Sequence, residues 1–269
     1  MIRVAKAHAY GNDFLYVLQS ETSGVDQPAL AREMCHRTTG IGADGLIFYA
    51  PTPMGASMRL FNADGSRAEV SGNGVRALGA LLALRASAGP LQLTVQTEGG
   101  IKVLTRLGAD GSRQLFRAAM GLPSNLHRTQ LTAAGETVDA VVLNIGNPQV
   151  IILGPLPDSE RFARLGAALE HHPQFPGGTN VEFVQVDAPA HLRIRIWERG
   201  CGPTSSSGTG SCASLVAAAA FGGAARDAQV EAPGGTQRVE WTTDSVYLTG
   251  WAEVLCQGEW LRPLPPVEA

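Results

Sequence analysis

A chain of 269 residues with 44% hydrophobic side chains has the material for one large globular domain or two of ordinary size, and excludes a disordered polar chain. Lys and Arg number 21 against 24 Asp and Glu, a net charge of −3 that gives no electrostatic footing for nucleic acid or an anionic membrane as partner. Four cysteines without CxxC or metal-ligand spacing, no apolar run near the ~20 residues of a membrane helix, and no secretory leader point to a reduced, cytoplasmic protein without a metal.

Met1 to Lys6 reads as a short strand. Gly11-Asn12 then precedes the apolar run Phe14 to Leu18. A helix is predicted over Pro28 to Thr38, with Asp26 as N-cap. Gly40-Ile41-Gly42-Ala43-Asp44 leads into Leu46-Ile47-Phe48, and Asn62 ends the strand-like Met58 to Phe61. Ser71-Gly72-Asn73-Gly74 feeds a small-residue apolar stretch, Val75 to Ala86, that predicts a buried helix. Leu91 to Thr97 and Ile101 to Leu107 flank Glu98-Gly99-Gly100 and predict a hairpin.

The same order then recurs. Gly146-Asn147 precedes Val150 to Leu153, and a helix capped by Asp158 is predicted over Asp158 to His171. Pro176-Gly177-Gly178-Thr179-Asn180 precedes Val181 to Val186, with Asn180 the counterpart of Asp44. Glu198 ends Ile194 to Trp197 as Asn62 ends its strand. Ser207-Gly208-Thr209-Gly210 repeats Ser71 to Gly74 and feeds Ser211 to Phe221. Gln229 to Ala232, Pro233-Gly234-Gly235 and Thr236 to Thr242 repeat the hairpin. Five matches in one order at nearly constant spacing predict a duplicated chain. The fold class is α+β, two pseudo-symmetric domains, each a curved, mostly antiparallel sheet around a central helix. The first half is expected over 1–117, with the tail 261–269 packing on it, and the second over 118–260.

A Ser-Gly-x-Gly loop at a helix start is an anion site, because first-turn amides and the helix dipole both attract negative charge. Two such starts converging on one carboxylate would set Ser71 and Ser207 on opposite faces of the adjoining carbon. One group would remove the α-proton and the other supply a proton to the far face. Backbone N–H groups would stabilise the enolate charge, with no metal and no pyridoxal lysine in the sequence.

These residues resemble the diaminopimelate epimerase family. The resemblance rests on Lys6 to Phe14, Gly40 to Gly45, Phe61 to Ser66, Ser71 to Arg76, Gly146-Asn147-Pro148, Asn180, Glu198-Arg199-Gly200 and Gly208 to Ala213, in order along almost the whole chain. It implies two pseudo-symmetric domains with substrate between them, a homodimer, no cofactor, and conversion of LL- to meso-diaminopimelate for lysine and cell-wall synthesis. It implies that Gly72, Asn73, Gly208 and Thr209 hold the carboxylate at the reacting end, with Asn12 near the reacting centre. Asn62, Asn147, Asn180, Glu198 and Arg199 would hold the distant amino-acid end. That end is a zwitterion, and an acid, a guanidinium and amides are the groups it needs.

The family's two proton-transfer cysteines are serines here, Ser71 and Ser207. A thiol ionises near pH ~8.5 and lower at a helix start, whereas a serine hydroxyl needs an adjacent base. Three origins fit: a natural branch with serines activated by neighbours, an engineered double Cys-to-Ser form that only binds the amino acid, or a relative that has left epimerisation behind, such as a related racemase, isomerase or dehydratase of the same fold. Gln149 stands where the family usually has a histidine that tunes the proton-transfer groups. Gly45 replaces a side chain that contacts substrate in some members. Cys201 is an outside candidate for a thiol base.

Overall fold

The computed structural model describes residues 1–84 and 91–267. Arg85 and Ala86 of the expected helix, and Glu268 and Ala269 of the tail, lie outside the described residues. The chain divides into two compact units, Met1–Ala118 with Trp251–Ala269, and Ala119–Gly250.

Unit 1 contains β1 (Ile2–Ala9), β2 (Asn12–Leu18), α1 (Gln27–Cys35), β3 (Gly45–Thr52), β4 (Gly55–Asn62), β5 (Arg67–Ala68), α2 (Gly72–Ala83), β6 (Leu91–Thr97) and β7 (Gly100–Asp110), and β8 (Arg113–Gly121) leads out of it. Unit 2 contains β9 (Ser124–Ala133), β10 (Glu136–Asn144), β11 (Pro148–Leu153), α3 (Ser159–Glu170), β12 (Asn180–Ala188), β13 (His191–Glu198), β14 (Gly202–Thr204), α4 (Gly208–Phe221), β15 (Asp227–Ala232) and β16 (Gly235–Trp241). The long strand β17 (Val246–Trp260) begins in unit 2 and ends in unit 1.

The two units use one pairing plan. In unit 1, β1–β2 is antiparallel, β2–β3 parallel, β3–β4 antiparallel, β4–β6 parallel and β6–β7 antiparallel. In unit 2, β10–β11, β11–β12, β12–β13, β13–β15 and β15–β16 follow the same alternation. A parallel pair needs a crossover, and among the described residues each of the four crossovers carries one α-helix.

The helices take opposite faces. Leu30, Ala31 and Met34 of α1 bury against Leu15, Val17, Leu46, Phe48 and Phe61. Phe162, Leu165 and Leu169 of α3 bury against Val150, Val181 and Phe183. The other face holds α2 or α4. Helix α2 touches β1 and β2 at one side of its sheet and β6 and β7 at the other, and α4 touches β10 through β13 with β15 and β16. Each sheet therefore curves around its central helix. An all-round apolar, small-residue helix is the kind that can be surrounded; α4 buries every residue from Gly208 to Ala218.

Several expectations shift by a few residues. Helix α1 stops at Cys35, short of Thr38, because the Ile41 and Gly42 amides turn back to the Met34 carbonyl. A Cβ at Gly40 would lie 2.3 Å from the Glu33 oxygen, so glycine alone fits that turn. Helices α2 and α4 start earlier than Val75 and Ser211, since Ser71 and Ser207 cap them and draw both glycines of each motif into the first turn. Register also corrects the repeat by one residue. Phe14 pairs with Gly45 and Gln149 with Asn180, so the counterpart of Asn180 is Gly45, not Asp44.

Residues 251–260 belong to unit 1, where the 118–260 boundary had put them in the second half. The reason is pairing: Ile2 to Lys6 of β1 run antiparallel to Trp260 to Cys256 of β17. Beyond them, Pro266 bridges Val25, the Pro265 carbonyl accepts from Asp26 N at 2.9 Å, and Leu264 packs on the α1 core. Among the described residues, no helix is long and apolar enough to cross a membrane.

Candidate active site

In unit 1 the candidate residues gather at the start of α2. Ser71 is extended (φ −125°, ψ 122°), and its Oγ accepts from Gly74 N at 3.1 Å. Asn73 is buried; its Nδ2 donates to Asn12 Oδ1 at 3.2 Å, and its Oδ1 accepts from Arg76 Nη2. Arg76 is wholly buried, with its guanidinium 5.6 Å from the Tyr10 ring centroid. Asn12 Nδ2 in turn donates to Asp44 Oδ2 at 2.7 Å.

A charge cluster anchors that aspartate. Arg37 Nη2 donates to Asp44 Oδ1 (2.7 Å) and Asp13 Oδ1 (2.9 Å), and Lys6 Nζ lies 3.0 Å from Asp13 Oδ2. Burial pushes the Asp13 carboxyl up, but hydrogen bonds from Arg37 and Lys6 outweigh it and hold Asp13 below the usual carboxylate range. Asn12 and Asn73 are thus fixed from both ends before any ligand arrives. Asn62, at the end of β4, instead turns its Nδ2 to Ser66 Oγ at 3.0 Å within its own turn. Gly45 has no room for a side chain, since a Cβ would lie 2.7 Å from the Phe61 oxygen.

In unit 2 the residues gather at the start of α4. Ser207 is extended (φ −137°, ψ 130°); its Oγ accepts from Gly210 N at 3.1 Å and lies 3.5 Å from Thr209 Oγ1. Ser207 is buried, whereas Ser71 is half-buried. Arg199 N donates to Asn180 Oδ1 at 2.8 Å, which turns Asn180 Nδ2 toward Gln149. That contact decides the orientation of the buried Gln149 amide, as neighbouring groups do for any amide. Its oxygen faces Asn180 Nδ2 (3.0 Å) and Thr209 Oγ1 (3.3 Å), with the Asn147 amide at 2.7 Å, and its nitrogen donates to both oxygens of Glu182 (3.0 and 3.1 Å). Glu198 closes β13, where its carbonyl accepts from Cys201 N at 3.0 Å, and Arg199 Nη1 reaches the Gly177 carbonyl at 3.2 Å. Cys201 is exposed at that turn, and Cys212 is buried on α4.

The structure therefore links Asn12 with Asn73 in unit 1, and Asn147, Gln149, Asn180, Arg199 and Thr209 in unit 2. The reading of the sequence missed Glu182. This acid is wholly buried, and burial pushes its carboxyl well above the usual range, with Glu198 adding to the shift. A signal was available: Val181-Glu182-Phe183-Val184 sets one charge inside an otherwise apolar strand. Arg76, the buried cation of α2, closes the Ser71 to Arg76 motif, which by itself gives no sign of that burial.

The diaminopimelate epimerase family model matches residues 4–124 and 141–255, which include both serine loops. The chain belongs to the diaminopimelate epimerase family. It is 39% identical over 275 residues to the diaminopimelate epimerase of Desulforudis audaxviator, covering 96% of this chain and 98% of that one. It is 39% identical over 280 residues to diaminopimelate epimerase 1 of a Nostoc species, covering 96% and 99%. A predicted epimerase from Pseudomonas aeruginosa superimposes with a TM-score of 0.76 at 18% identity, over 98% of this chain and all of that one, a likeness of fold alone.

Proposed function

We propose that this protein interconverts LL- and meso-diaminopimelate by proton transfer at the α-carbon. Ser71 and Ser207 are the two proton-transfer groups, one removing the α-proton and the other delivering a proton to the opposite face. Gly72, Asn73, Gly208 and Thr209 bind the carboxylate of the reacting end, with Asn12 beside the reacting centre. Asn62, Asn147, Asn180, Glu198 and Arg199 bind the far end, and Gln149 tunes the Ser207 side.

One observation carries the reading most. In each unit a serine hydroxyl stands at the N-cap of the buried central helix, where dipole and amides stabilise a carboxylate and the charge that develops on it. Family membership supports catalysis without a cofactor, a homodimer and a cytoplasmic setting as parts of the same proposal.

A second reading, binding without turnover, is favoured by the partners of the two hydroxyls. Ser71 Oγ accepts from a backbone amide, and Ser207 Oγ from a backbone amide beside the Thr209 hydroxyl; none of these is a base. The test is incubation with LL-diaminopimelate in deuterium oxide. The proposal expects the meso isomer and deuterium at the α-carbon. Calorimetric binding with neither product nor exchange, at high protein concentration, would establish the second reading and overturn the first.

A further inference from the structure

Glu182 and Gln149 form a polar pair inside unit 2 where unit 1 has none. By strand register, Gln149 is the counterpart of Phe14 and Glu182 of Ile47. The contacts agree. A Cβ on Gly74 would lie 2.9 Å from Ile47 Cδ1, and a Cβ on Gly210 would lie 2.5 Å from Glu182 Oε1. The fold thus needs no polar group at this place, because an apolar pair fills it in the sister unit. A buried acid there costs desolvation that a hydrocarbon would not, so a role other than packing accounts for it.

We propose that Glu182 is a positioning residue, which through the Gln149 amide sets Thr209 and Asn180 around the start of α4. Both Glu182 oxygens accept from Gln149 Nε2, and the Gln149 oxygen accepts from Asn180 Nδ2 and Thr209 Oγ1. Asn180 passes the constraint on to the Arg199 backbone. Gly210 lets the carboxyl approach the first turn of α4, and its amide is the one that Ser207 Oγ caps. Glu182 thereby organises the start of α4, around Ser207. The charged group acting on it is Glu198, at the end of β13. The substrate-dependent part of this inference rests on the function proposed above.

The test uses the full chain with Glu182→Gln and Glu182→Leu. In the ligand-free wild type, the Gln149 side-chain amide resonances are expected to shift as pH is raised above the ordinary glutamate range, and in Glu182→Gln to stay constant. A raised folded-state pKa also makes stability fall as pH climbs from about 4.5 toward that pKa. The pH slope of Tm should therefore flatten in Glu182→Gln. With LL-diaminopimelate, Glu182→Leu should raise KM, or the Kd where there is no turnover, by on the order of 10²-fold, the cost of a misplaced binding group. Glu182→Gln, which keeps an oxygen toward Gln149, should recover part of that loss. If Glu182→Leu does not fold, Glu182→Gln and the resonances decide. Gln149 signals indifferent to pH in the wild type, or an unchanged KM or Kd in a folded Glu182→Leu, would overturn the inference. A wild type that neither binds nor converts the substrate refutes the proposed function instead, and the Gln149 titration still decides the Glu182 link.

Discussion

The starts of α2 and α4 share a backbone and differ in the charge behind it. Both open with Ser-Gly-x-Gly, and in both the serine accepts from the amide three residues on. Behind α2 the sheet offers Phe14 and Ile47, and the helix itself buries Arg76. Behind α4 the sheet offers Gln149 and Glu182, and the helix has Cys212 at the place of Arg76. A duplication preserves what backbone hydrogen bonding demands and lets polar side chains diverge. The proposed proton transfer gives the two serines different tasks, and their unlike surroundings suit that division.

The largest expected effect comes from restoring thiols. Replacing both Ser71 and Ser207 by cysteine should raise epimerisation by about 10²–10⁴-fold, the range of general acid–base catalysis, because a thiol ionises far more readily than a hydroxyl. The single variants sharpen the contrast. A thiol introduced at the half-buried position 71, on the helix that buries Arg76, should ionise at lower pH than one at the buried position 207. Alkylation rate against pH reads this directly, and coincident curves would erase the proposed inequivalence.

The glycines come next. Gly210→Ala forces a Cβ to 2.5 Å from Glu182 Oε1, whereas Gly74→Ala meets the end of Ile47 at 2.9 Å. Overpacking costs roughly 1–3 kcal/mol. Gly210→Ala should fall near the upper end and Gly74→Ala near the lower, as measured by denaturant unfolding. Equal losses would mean that the Glu182 contact yields as easily as a methyl group.

The smallest effect is electrostatic and of opposite sign in the two units. Asp13 in unit 1 has a lowered pKa. Its contribution to stability is present above the ordinary aspartate range and is lost as pH falls through the folded value. Asp13→Asn should therefore weaken the acid dependence of Tm below about pH 4, while Glu182→Gln acts on the side above the glutamate range. An acid limb unchanged in Asp13→Asn would remove Asp13 from the account.

Much of this was legible from the residues. The central helices announced themselves by small apolar side chains, the hairpins by their Gly-Gly turns, and the candidate site by a motif written twice. Strands β9, β10 and β17 were not read. Their exposed residues alternate with buried ones such as Leu131, Ala133, Val138 and Ala140, and that pattern in a polar stretch carries little signal without its partners.

By itself, the sequence determined the α+β class, the duplication, a helix after each serine loop and the family, because each is carried by local patterns that can be read and compared along the chain. Tertiary structure alone decided three things. It gave residues 251–260 to unit 1, it paired Asn180 with Gly45 across the repeat, and it placed Glu182 beneath Gly210. These depend on strand register and on burial from all sides. A letter string records which side chain is present, but what surrounds a carboxyl, and hence its charge, is settled only when distant strands close over it.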